Sequence, residues 1–475
     1  MFTTTEPSPQ ESSMGSVHTS TGGRRRRVLF FPLPYQGHLN PMFQLAGILH
    51  SRGFAVTIFH THFNALDASL HPAYDFVPVP DGCPPADTPG TLQVTLERVL
   101  AVNRACEAPF RERLAALLEQ QREDDVVACL VADAHLLTLL GVARGLGVPT
   151  LVLRTGSAAG FRCFTAFPML CDKGYQPAQE SRLDAPVTEL LPYRVRDLLS
   201  TTAAGHAVMS EAISRMVTAA ATSSGLILNT FDALEAAELA ALRRDLAVPV
   251  FDVGPLHKLS PAAANSMLRQ DHGCLDWLDT QAPASVLYVS FGSLASLSAA
   301  DLVEIAWGIA NSGLPFLWVL RPGLVRGAPA SQDPPPLPDG FDAATRGRGV
   351  VVSWAPQEEV LAHPAVGGFW THCGWNSTLE GVCAGVPMLC RPFFGDQMGN
   401  ARYVDHVWRT GVTIDGELQR GKVEAAISTL MGAGEPGAGM RRRALELKNS
   451  AAASIGEAGS SCLNVDKLVS HIMGL

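Results

Sequence analysis

The segment from His372 to Ser377 combines the features of a phosphate-binding site. A short apolar strand runs directly into the residues His-Cys-Gly-Trp-Asn-Ser, and helical spacing begins there. Unpaired N–H groups at a helix N-terminus, together with the helix dipole, bind anionic phosphate groups. Gly374 allows a ligand to approach the backbone closely, and the neighbouring polar side chains add hydrogen-bond donors. The segment therefore predicts a site for a phosphate or diphosphate.

Residues on either side of this segment could hold the rest of a nucleotide sugar. Trp354 follows a predicted strand and offers a flat face on which a base could stack. Glu380 lies one helical turn after Asn376, so its carboxylate could accept hydrogen bonds from both ribose hydroxyls. Asp396 and Gln397 follow the next predicted strand and could bind sugar hydroxyls. Each of these residues alone is weak evidence; their order along the chain predicts a nucleotide-sugar site.

His38 and Asp133 are the candidate catalytic pair. His38 lies in the loop after the first predicted strand, just before a helix whose predicted N-cap is Asn40 and whose first residue is Pro41. The positive end of that helix disfavours imidazolium, so the ring stays neutral, as a general base requires. Asp133 ends a strand that faces the same cleft, where its carboxylate could orient the histidine. An unused loop histidine and an aspartate N-cap remain the alternatives from the residues alone.

Apolar strands alternate with helices along the chain and must position these residues. This alternation predicts an α/β fold made of two doubly wound domains, each with a parallel sheet covered on both faces. Ligands of such folds bind at the carboxyl ends of the strands, here between the two domains. We predict a disordered tail (1–24), an N-terminal domain (25–256), a linker (257–280), a C-terminal domain (281–455) and a final helix that packs back on the N-terminal domain (456–475).

Composition excludes several other classes of protein. The 475 residues carry a formal net charge of −9, which argues against a nucleic-acid partner. No apolar run approaches the roughly 18 residues of a membrane-spanning helix, and the polar N-terminus does not resemble a secretion signal. No glycine-rich dinucleotide fingerprint follows a first strand. The ten cysteines form no metal-binding pattern, and we expect them to be free thiols in a reducing, cytoplasmic setting.

From Trp354 to Gln397 the sequence resembles the signature box of the plant family 1 UDP-glycosyltransferases, almost without gaps. The similarity extends from about Arg27 to the C-terminus. It implies the GT-B fold, in which two Rossmann-like domains face a cleft and the C-terminal one holds most of the donor. It also implies a role in donor binding for a set of residues along the chain. These are Thr155, Ser293, Trp354, Ala355, Gln357, His372, Gly374, Trp375, Asn376, Ser377, Glu380, Asp396 and Gln397.

The same resemblance implies an inverting transfer of glucose from UDP-glucose to a hydroxyl, with His38 as base and Asp133 as its partner. The family's galactose users tend to carry histidine at the position of Gln397, and its glucuronate users arginine at that of Trp375, which favours glucose here. No Asp-x-Asp motif is present, so we expect no metal requirement and no cofactor beyond the donor. A non-catalytic UDP-sugar-binding protein is the competing hypothesis.

The acceptor is the least defined part of the prediction. Apolar loops of the N-terminal domain suggest a small lipophilic acceptor, such as a phenolic, benzoxazinoid, cytokinin or terpenoid. We also expect a monomer. The candidate acceptor-binding residues are Gly37, Phe110, Phe161, Phe164, Phe167 and Leu198, although each of the apolar ones could equally belong to the core.

Overall fold

The computed structural model describes residues 25–63, 67–82, 92–199, 205–261, 268–327 and 335–475. The predicted tail (1–24), Cys83 and part of the predicted linker lie outside these residues. The other cysteines are free, and most of them are buried.

The N-terminal domain is a parallel sheet of seven strands in the order β3-β2-β1-β4-β5-β6-β7. The strands are β1 (Arg25–Phe31), β2 (Ala55–Thr61), β3 (Asp75–Val79), β4 (Asp125–Asp133), β5 (Thr150–Arg154), β6 (Leu226–Leu228) and β7 (Val250–Asp252). The helices are α1 (Gln36–Ser51), α2 (Leu92–Ala105), α3 (Glu107–Glu119), α4 (Leu137–Gly145), α5 (Ala158–Thr165), α6 (Phe167–Asp172), α7 (His206–Ala221), α8 (Asp232–Asp245) and α9 (Leu256–Leu259).

The C-terminal domain repeats the design with six parallel strands in the order β10-β9-β8-β11-β12-β13. The strands are β8 (Val286–Ser290), β9 (Phe316–Val319), β10 (Gly349–Val352), β11 (Val366–Thr371), β12 (Met388–Cys390) and β13 (Gly411–Thr413). The helices are α10 (Gly273–Asp279), α11 (Ala299–Ser312), α12 (Phe341–Ala344), α13 (Gln357–Ala362), α14 (Trp375–Ala384), α15 (Gln397–Arg402), α16 (Arg420–Met431) and α17 (Glu435–Ser454), and a final helix, α18 (Ser460–Gly474), follows this domain.

Helices cover both faces of each sheet, so the central strands are buried along their length. Every residue of β8 and β11 is buried, as expected for parallel strands between two helical layers. The capping box predicted for α11 forms, since Ser298 and Asp301 exchange hydrogen bonds. The final helix, α18, packs on the N-terminal domain: Ser461 donates to the Gly254 carbonyl.

The prediction for α1 was wrong at its start. The helix begins at Gln36, with Tyr35 in the N-cap position, and Pro41 lies inside it instead of at its first position. His38 is consequently the third residue of the helix and not a loop residue. The helix tolerates Pro41 because the missing N–H would have bonded to Gly37, whose carbonyl finds another partner, Asn376 of the C-terminal domain.

Candidate active site

One cavity of about 570 Å³ lies between the two domains, at the carboxyl ends of both sheets. Every predicted donor-binding residue lines it, as do His38 and Gly37. The nine-residue strand β4 ends at Asp133, which is completely buried directly behind His38. The structure therefore brings together residues that are up to 360 positions apart in sequence (397 − 37).

A hydrogen-bond network organises the end of the cavity beneath Trp354. The Gln357 amide nitrogen donates to Glu380 at 2.6 Å and to the Ser377 hydroxyl at 2.8 Å. The Tyr288 hydroxyl donates to the amide oxygen of Gln357 at 3.2 Å. Tyr288 was not predicted from the sequence, because it is an ordinary apolar strand position of β8. The network fixes Glu380 and Ser377 in the wall of the cavity that Trp354 also lines.

Glu380 has an unusual protonation equilibrium. Burial, with a smaller contribution from the charge of Glu358, raises the pKa of Glu380 to about 8, and the Gln357 hydrogen bond opposes this shift only in part. The carboxyl group nevertheless remains open to the cavity. A ligand that offers hydroxyl donors would stabilise the carboxylate and lower its pKa.

The N-terminus of α14 forms the middle of the cavity wall. Gly374 is the N-cap residue, and no side chain caps the helix, so its first N–H groups face the cavity. The His372 ring lies between two glycines: a Cβ on Gly374 would be 2.3 Å from its Nε2 atom, and a Cβ on Gly292 would be 2.5 Å from its Cε1 atom. A side chain at position 374 would therefore clash with His372 and would also obstruct a ligand, so glycine is required here.

His372 is a neutral donor or acceptor at pH 7. Burial, together with the smaller effect of the Arg321 charge, lowers the pKa of His372 to about 4. Arg321 is itself buried and holds the carbonyls of Gly292 and Ala295, so it supports the loop that carries Ser293. Ser293 lines the cavity on that side.

Two residues of the predicted phosphate segment reach across to the N-terminal domain. The Trp375 indole is buried, and its N–H donates to the Asn229 carbonyl at 2.7 Å. The Asn376 amide nitrogen donates to the Gly37 carbonyl at 3.0 Å, next to His38. The start of α14 is therefore attached to the N-terminal domain at two points. For Trp375, the backbone is the part best placed to meet a ligand.

Residues of both domains meet at the end of the cavity beyond α14. Arg154 lies 3.5 Å from the Asp396 carboxylate across the cleft, and its guanidinium stacks on the Phe164 ring at 5.1 Å. Gly156 must lack a side chain because a Cβ there would be 2.5 Å from an Asp396 oxygen. The Gln397 amide oxygen already accepts two backbone N–H groups, from Phe393 and Phe394. A sugar at this end would meet the Gln397 amide nitrogen as a donor and Asp396 as an acceptor.

His38 and Asp133 form the predicted pair. Nδ1 of His38 lies 2.6 Å from Oδ2 of Asp133 and 3.0 Å from the Thr155 hydroxyl. The Nδ1 proton therefore points to the carboxylate, which leaves Nε2 as the basic nitrogen. Burial would raise the pKa of Asp133, but the charges and hydrogen bonds of His38 and His135 outweigh it and hold this pKa well below its usual range.

His135 is a member of this cluster that sequence reasoning missed. Its Nδ1 atom lies 2.6 Å from Oδ1 of Asp133, and its backbone N–H donates to the same oxygen at 3.0 Å. Burial lowers the pKa of His135, so the ring is neutral at pH 7. The spacing Asp133-x-His135, directly after a strand, was the available signal.

The same three residues are the one group in the described part of the chain with the spacing of metal ligands. Both Nδ1 atoms already lie at hydrogen-bond distance from the carboxylate. The chemistry of the group is therefore that of a hydrogen-bonded acid–base cluster.

The apolar acceptor candidates do not line the main cavity. Phe110 and Phe161 are completely buried, and Phe110 packs against Phe31 and Phe59 in the core of the N-terminal domain. These two are core residues and do not form a binding surface. Phe164, Phe167 and Leu198 line a second cavity of about 10 Å³, which is too small for an acceptor. Only Gly37 of the acceptor candidates lies beside the catalytic pair.

Residues 40–434 match the family described as UDP-glucoronosyl and UDP-glucosyl transferase. The chain belongs to this family. It is 50% identical over 462 residues to the DIMBOA UDP-glucosyltransferase BX8 of Zea mays, covering 95% of this chain and 99% of that protein. It is 48% identical over 448 residues to the DIMBOA UDP-glucosyltransferase BX9 of Zea mays, and this match covers 93% of this chain and 95% of that protein.

The structure is also similar to that of Phytolacca americana UGT2 complexed with UDP-2fluoro-glucose and pterostilbene. The TM-score is 0.78 at 28% identity, and the match covers 94% of this chain and 99% of that one. The predicted GT-B fold and the catalytic interpretation are thereby confirmed, and the hypothesis of a non-catalytic binder is set aside. No helix in the described ranges is long and apolar enough to cross a membrane.

Proposed function

We propose that this UDP-glycosyltransferase transfers glucose from UDP-glucose to a small, flat, lipophilic acceptor, and that benzoxazinoids are its preferred acceptor class. The observation that carries the donor part is one cavity that is lined by every residue of the predicted donor set and reaches His38. The acceptor part rests on the two relatives from Zea mays, both of which act on DIMBOA, a benzoxazinoid.

The geometry around His38 supports an inverting mechanism. Nε2 of His38 takes the proton of the acceptor hydroxyl as its oxygen forms a bond to the anomeric carbon from the face opposite UDP. The bond between that carbon and the diphosphate oxygen breaks, and its electron pair leaves with UDP. An α-linked donor then gives a β-glucoside. Asp133 keeps the Nδ1 proton in place and stabilises the imidazolium as it forms.

His135 acts in this proposal through Asp133. Its two hydrogen bonds hold Oδ1 of the carboxylate, so that Oδ2 is directed at His38. The His135 carbonyl is fixed in turn by the buried side chain of Asn103, at 2.8 Å. A rigid carboxylate reduces the reorganisation needed when His38 becomes charged.

The N-terminus of α14 and the side chains of His372, Asn376 and Ser377 stabilise the negative charge that develops on the leaving UDP. This set of donors replaces the metal ion that other transferases use, so we propose that no metal or other cofactor is needed. We expect turnover to be unchanged after exhaustive treatment with EDTA. Loss of activity that magnesium or manganese restores would contradict this part of the proposal.

The acceptor must lie next to His38, where aromatic rings suit a flat molecule. The Tyr35 ring is 6.4 Å from the His38 ring, and the Phe63 ring is 5.9 Å from that of Tyr35. We also propose that the protein is a monomer, which analytical ultracentrifugation would test. A cytoplasmic location remains a prediction, which fractionation would test.

The test is an assay of UDP-glucose with a panel of benzoxazinoid, phenolic, cytokinin and terpenoid acceptors, followed by mass spectrometry. We expect the highest kcat/KM with a benzoxazinoid and no product from the His38→Ala variant, which should still bind UDP. Equal or better turnover of another acceptor class would overturn the acceptor assignment and leave the donor assignment intact.

A further inference from the structure

His257 is a cavity residue to which the mechanism assigns no role. It lies on the short helix α9, where the cavity meets the segment between the domains. The Leu256 N–H is anchored by the side chain of Asn229 at 2.9 Å, and Leu256 is fully buried in the N-terminal domain. The position of His257 in the cavity wall is therefore fixed by the fold.

The ring of His257 has an unsatisfied nitrogen. Among the residues that the structure describes, Nε2 finds no hydrogen-bond partner, although the atom is buried. A buried polar atom without a partner costs free energy, and native proteins pair nearly all of them. His257 also lines the cavity, so a bound ligand that displaces a neighbouring side chain can supply the missing partner.

The position of His257 indicates which part of a ligand would be the hydrogen-bond partner of Nε2. Burial raises the pKa of both Glu358 and Glu380, and the next residue, Lys258, is close enough to both for its charge to oppose these shifts. Glu380 belongs to the network below Trp354, where the nucleoside is proposed to bind. His257 thus approaches the nucleoside end of the cavity from the N-terminal domain.

The surrounding wall is polar as well. Gln36, Asn40 and Gln44 are spaced four residues apart on one face of α1, and all three line the cavity with His257. The Gln36 amide donates to Asn40 at 2.7 Å, so this face of the helix is already ordered. A polar wall opposite the signature box suits the hydroxyl-rich, charged part of a nucleotide.

We propose that Nε2 of His257 forms a hydrogen bond with the nucleotide half of the bound donor, so that UDP is held by the N-terminal domain as well as by the signature box. Burial, with a smaller contribution from Lys258, lowers the pKa of His257 to about 3. The ring is neutral at pH 7 and provides one donor and one acceptor. The proposal deepens the donor assignment above and rests on it.

The test compares UDP and UDP-glucose binding by calorimetry in the wild type and in the variants His257→Leu, His257→Gln and His60→Leu. Leucine removes the nitrogen, whereas the glutamine amide can place a nitrogen near the position of Nε2. His60 is a partly buried histidine outside the cavity and serves as the matched control. We expect His257→Leu to weaken both ligands by the same factor, roughly three- to tenfold, as for one lost hydrogen bond. His257→Gln should recover most of the affinity, and His60→Leu should not change it.

Thermal unfolding separates this role from a structural one. Because Nε2 has no partner in the free protein, His257→Leu should not lower the melting temperature without ligand. It should reduce the further rise that UDP produces. Unchanged UDP affinity in His257→Leu, an equal loss in His257→Gln, or a lower melting temperature of the free variant would each overturn the proposal. A wild type that fails to bind UDP would overturn the donor site itself.

Discussion

Asp133 serves two histidines at once, and this arrangement determines how the base works. Each carboxylate oxygen lies 2.6 Å from a different Nδ1 atom, and the carboxylate is almost completely shielded from solvent. A buried carboxylate with one partner could rotate away from His38. With His135 holding Oδ1 through two hydrogen bonds, rotation would break both of them, so Oδ2 remains directed at the base.

This arrangement predicts graded effects of three substitutions on turnover. Asp133→Asn should lower kcat by roughly 10²–10⁴-fold, because the charge that stabilises imidazolium is lost. His135→Ala should lower kcat by about tenfold, since it loosens the carboxylate without removing it. His135→Asn, which keeps a donor near the position of Nδ1, should lie between His135→Ala and the wild type. Steady-state kinetics with UDP-glucose measure all three, and KM for the donor should change little. Equal kcat values for His135→Ala and the wild type would contradict the role of His135.

Glu380 makes a prediction about pH. Its pKa is about 8 in the free protein, and ribose hydroxyls pair best with the charged carboxylate, so donor binding must lower this pKa. A ligand that favours the deprotonated form binds more tightly as pH rises towards the free-state pKa. We therefore expect the UDP-glucose affinity to increase between pH 6.5 and 8, by at most about tenfold per pH unit, and then to level off. Calorimetry should show this slope in the wild type and a flat profile in Glu380→Gln. A slope that persists in Glu380→Gln would assign it to another group, such as Glu358.

The functional role of a residue at a strand end or helix start was predictable from the sequence when it depends on the residue's type and local position. Glu380 and Asn376 share a helix, so their spacing alone places them together. His135 and His257 were not predictable, because their importance depends on which atoms lie opposite them in space. The contacts of the two Asp133 oxygens and the unpaired Nε2 of His257 are set by the tertiary structure.

At the scale of elements, a missing backbone hydrogen bond in α1 is connected with the contact between the two domains. Pro41 has no N–H, so the carbonyl four residues earlier, that of Gly37, lacks its helical partner. That carbonyl accepts the Asn376 amide from the other domain at 3.0 Å. The proline therefore costs the helix one hydrogen bond and provides α14 with an attachment point beside His38.

Pro41→Ala should separate helix stability from catalysis. The new N–H would bond to the Gly37 carbonyl and compete with Asn376, so we expect higher thermal stability but a several-fold lower kcat. A double-mutant cycle with Asn376→Ala tests whether this effect acts through the hydrogen bond between Asn376 and Gly37. In the Asn376→Ala background, Pro41→Ala should no longer affect kcat. An effect of Pro41→Ala on kcat that is the same in both backgrounds would show that it does not act through Asn376.

The start of α1 also shows where sequence patterns fail. Asn40 followed by Pro41 is a strong helix-start signal, yet the helix begins five residues earlier, at Gln36 instead of Pro41. A contact with a residue 339 positions away removes the penalty that normally keeps proline out of a helix interior. By contrast, the capping box at Ser298 and Asp301 was predictable because both partners lie within one turn.

At the scale of the whole molecule, the two domains are joined along one side of the cleft by buried polar contacts. The Tyr403 hydroxyl donates to Glu238 at 2.6 Å, and the Ser157 hydroxyl donates to Asn400 at 2.9 Å. The Trp375 and Trp408 indoles donate to carbonyls of the N-terminal domain. Two parallel sheets could be predicted from alternating strands and helices, but these partners could not, since nothing in either half of the sequence specifies the other.

Residues of both domains form the sugar end of the cavity. Their arrangement refines the expected donor preference. The sequence predicts discrimination against UDP-glucuronate because no arginine replaces Trp375. The structure does place a cation in the cavity, Arg154, but this side chain lies 3.5 Å from the Asp396 carboxylate across the cleft. A uronate would have to displace Asp396 or lie beside it, and like charges at close range are unfavourable.

Discrimination against UDP-glucuronate should therefore depend on Asp396 and not simply on a missing cation. We expect the wild type to favour UDP-glucose over UDP-galactose and UDP-glucuronate. An axial fourth hydroxyl would leave polar groups of Asp396 or Gln397 unpaired, at a cost of about 1–3 kcal/mol. In Asp396→Asn the charge next to Arg154 is removed, so the ratio of kcat/KM for UDP-glucuronate to that for UDP-glucose should rise by at least about tenfold, even as turnover of UDP-glucose falls. Gln397→His is the matched control, because it alters the neighbouring residue but leaves the Arg154–Asp396 pair in place. A ratio that stays constant in Asp396→Asn, or rises equally in Gln397→His, would show that the ion pair does not set this preference.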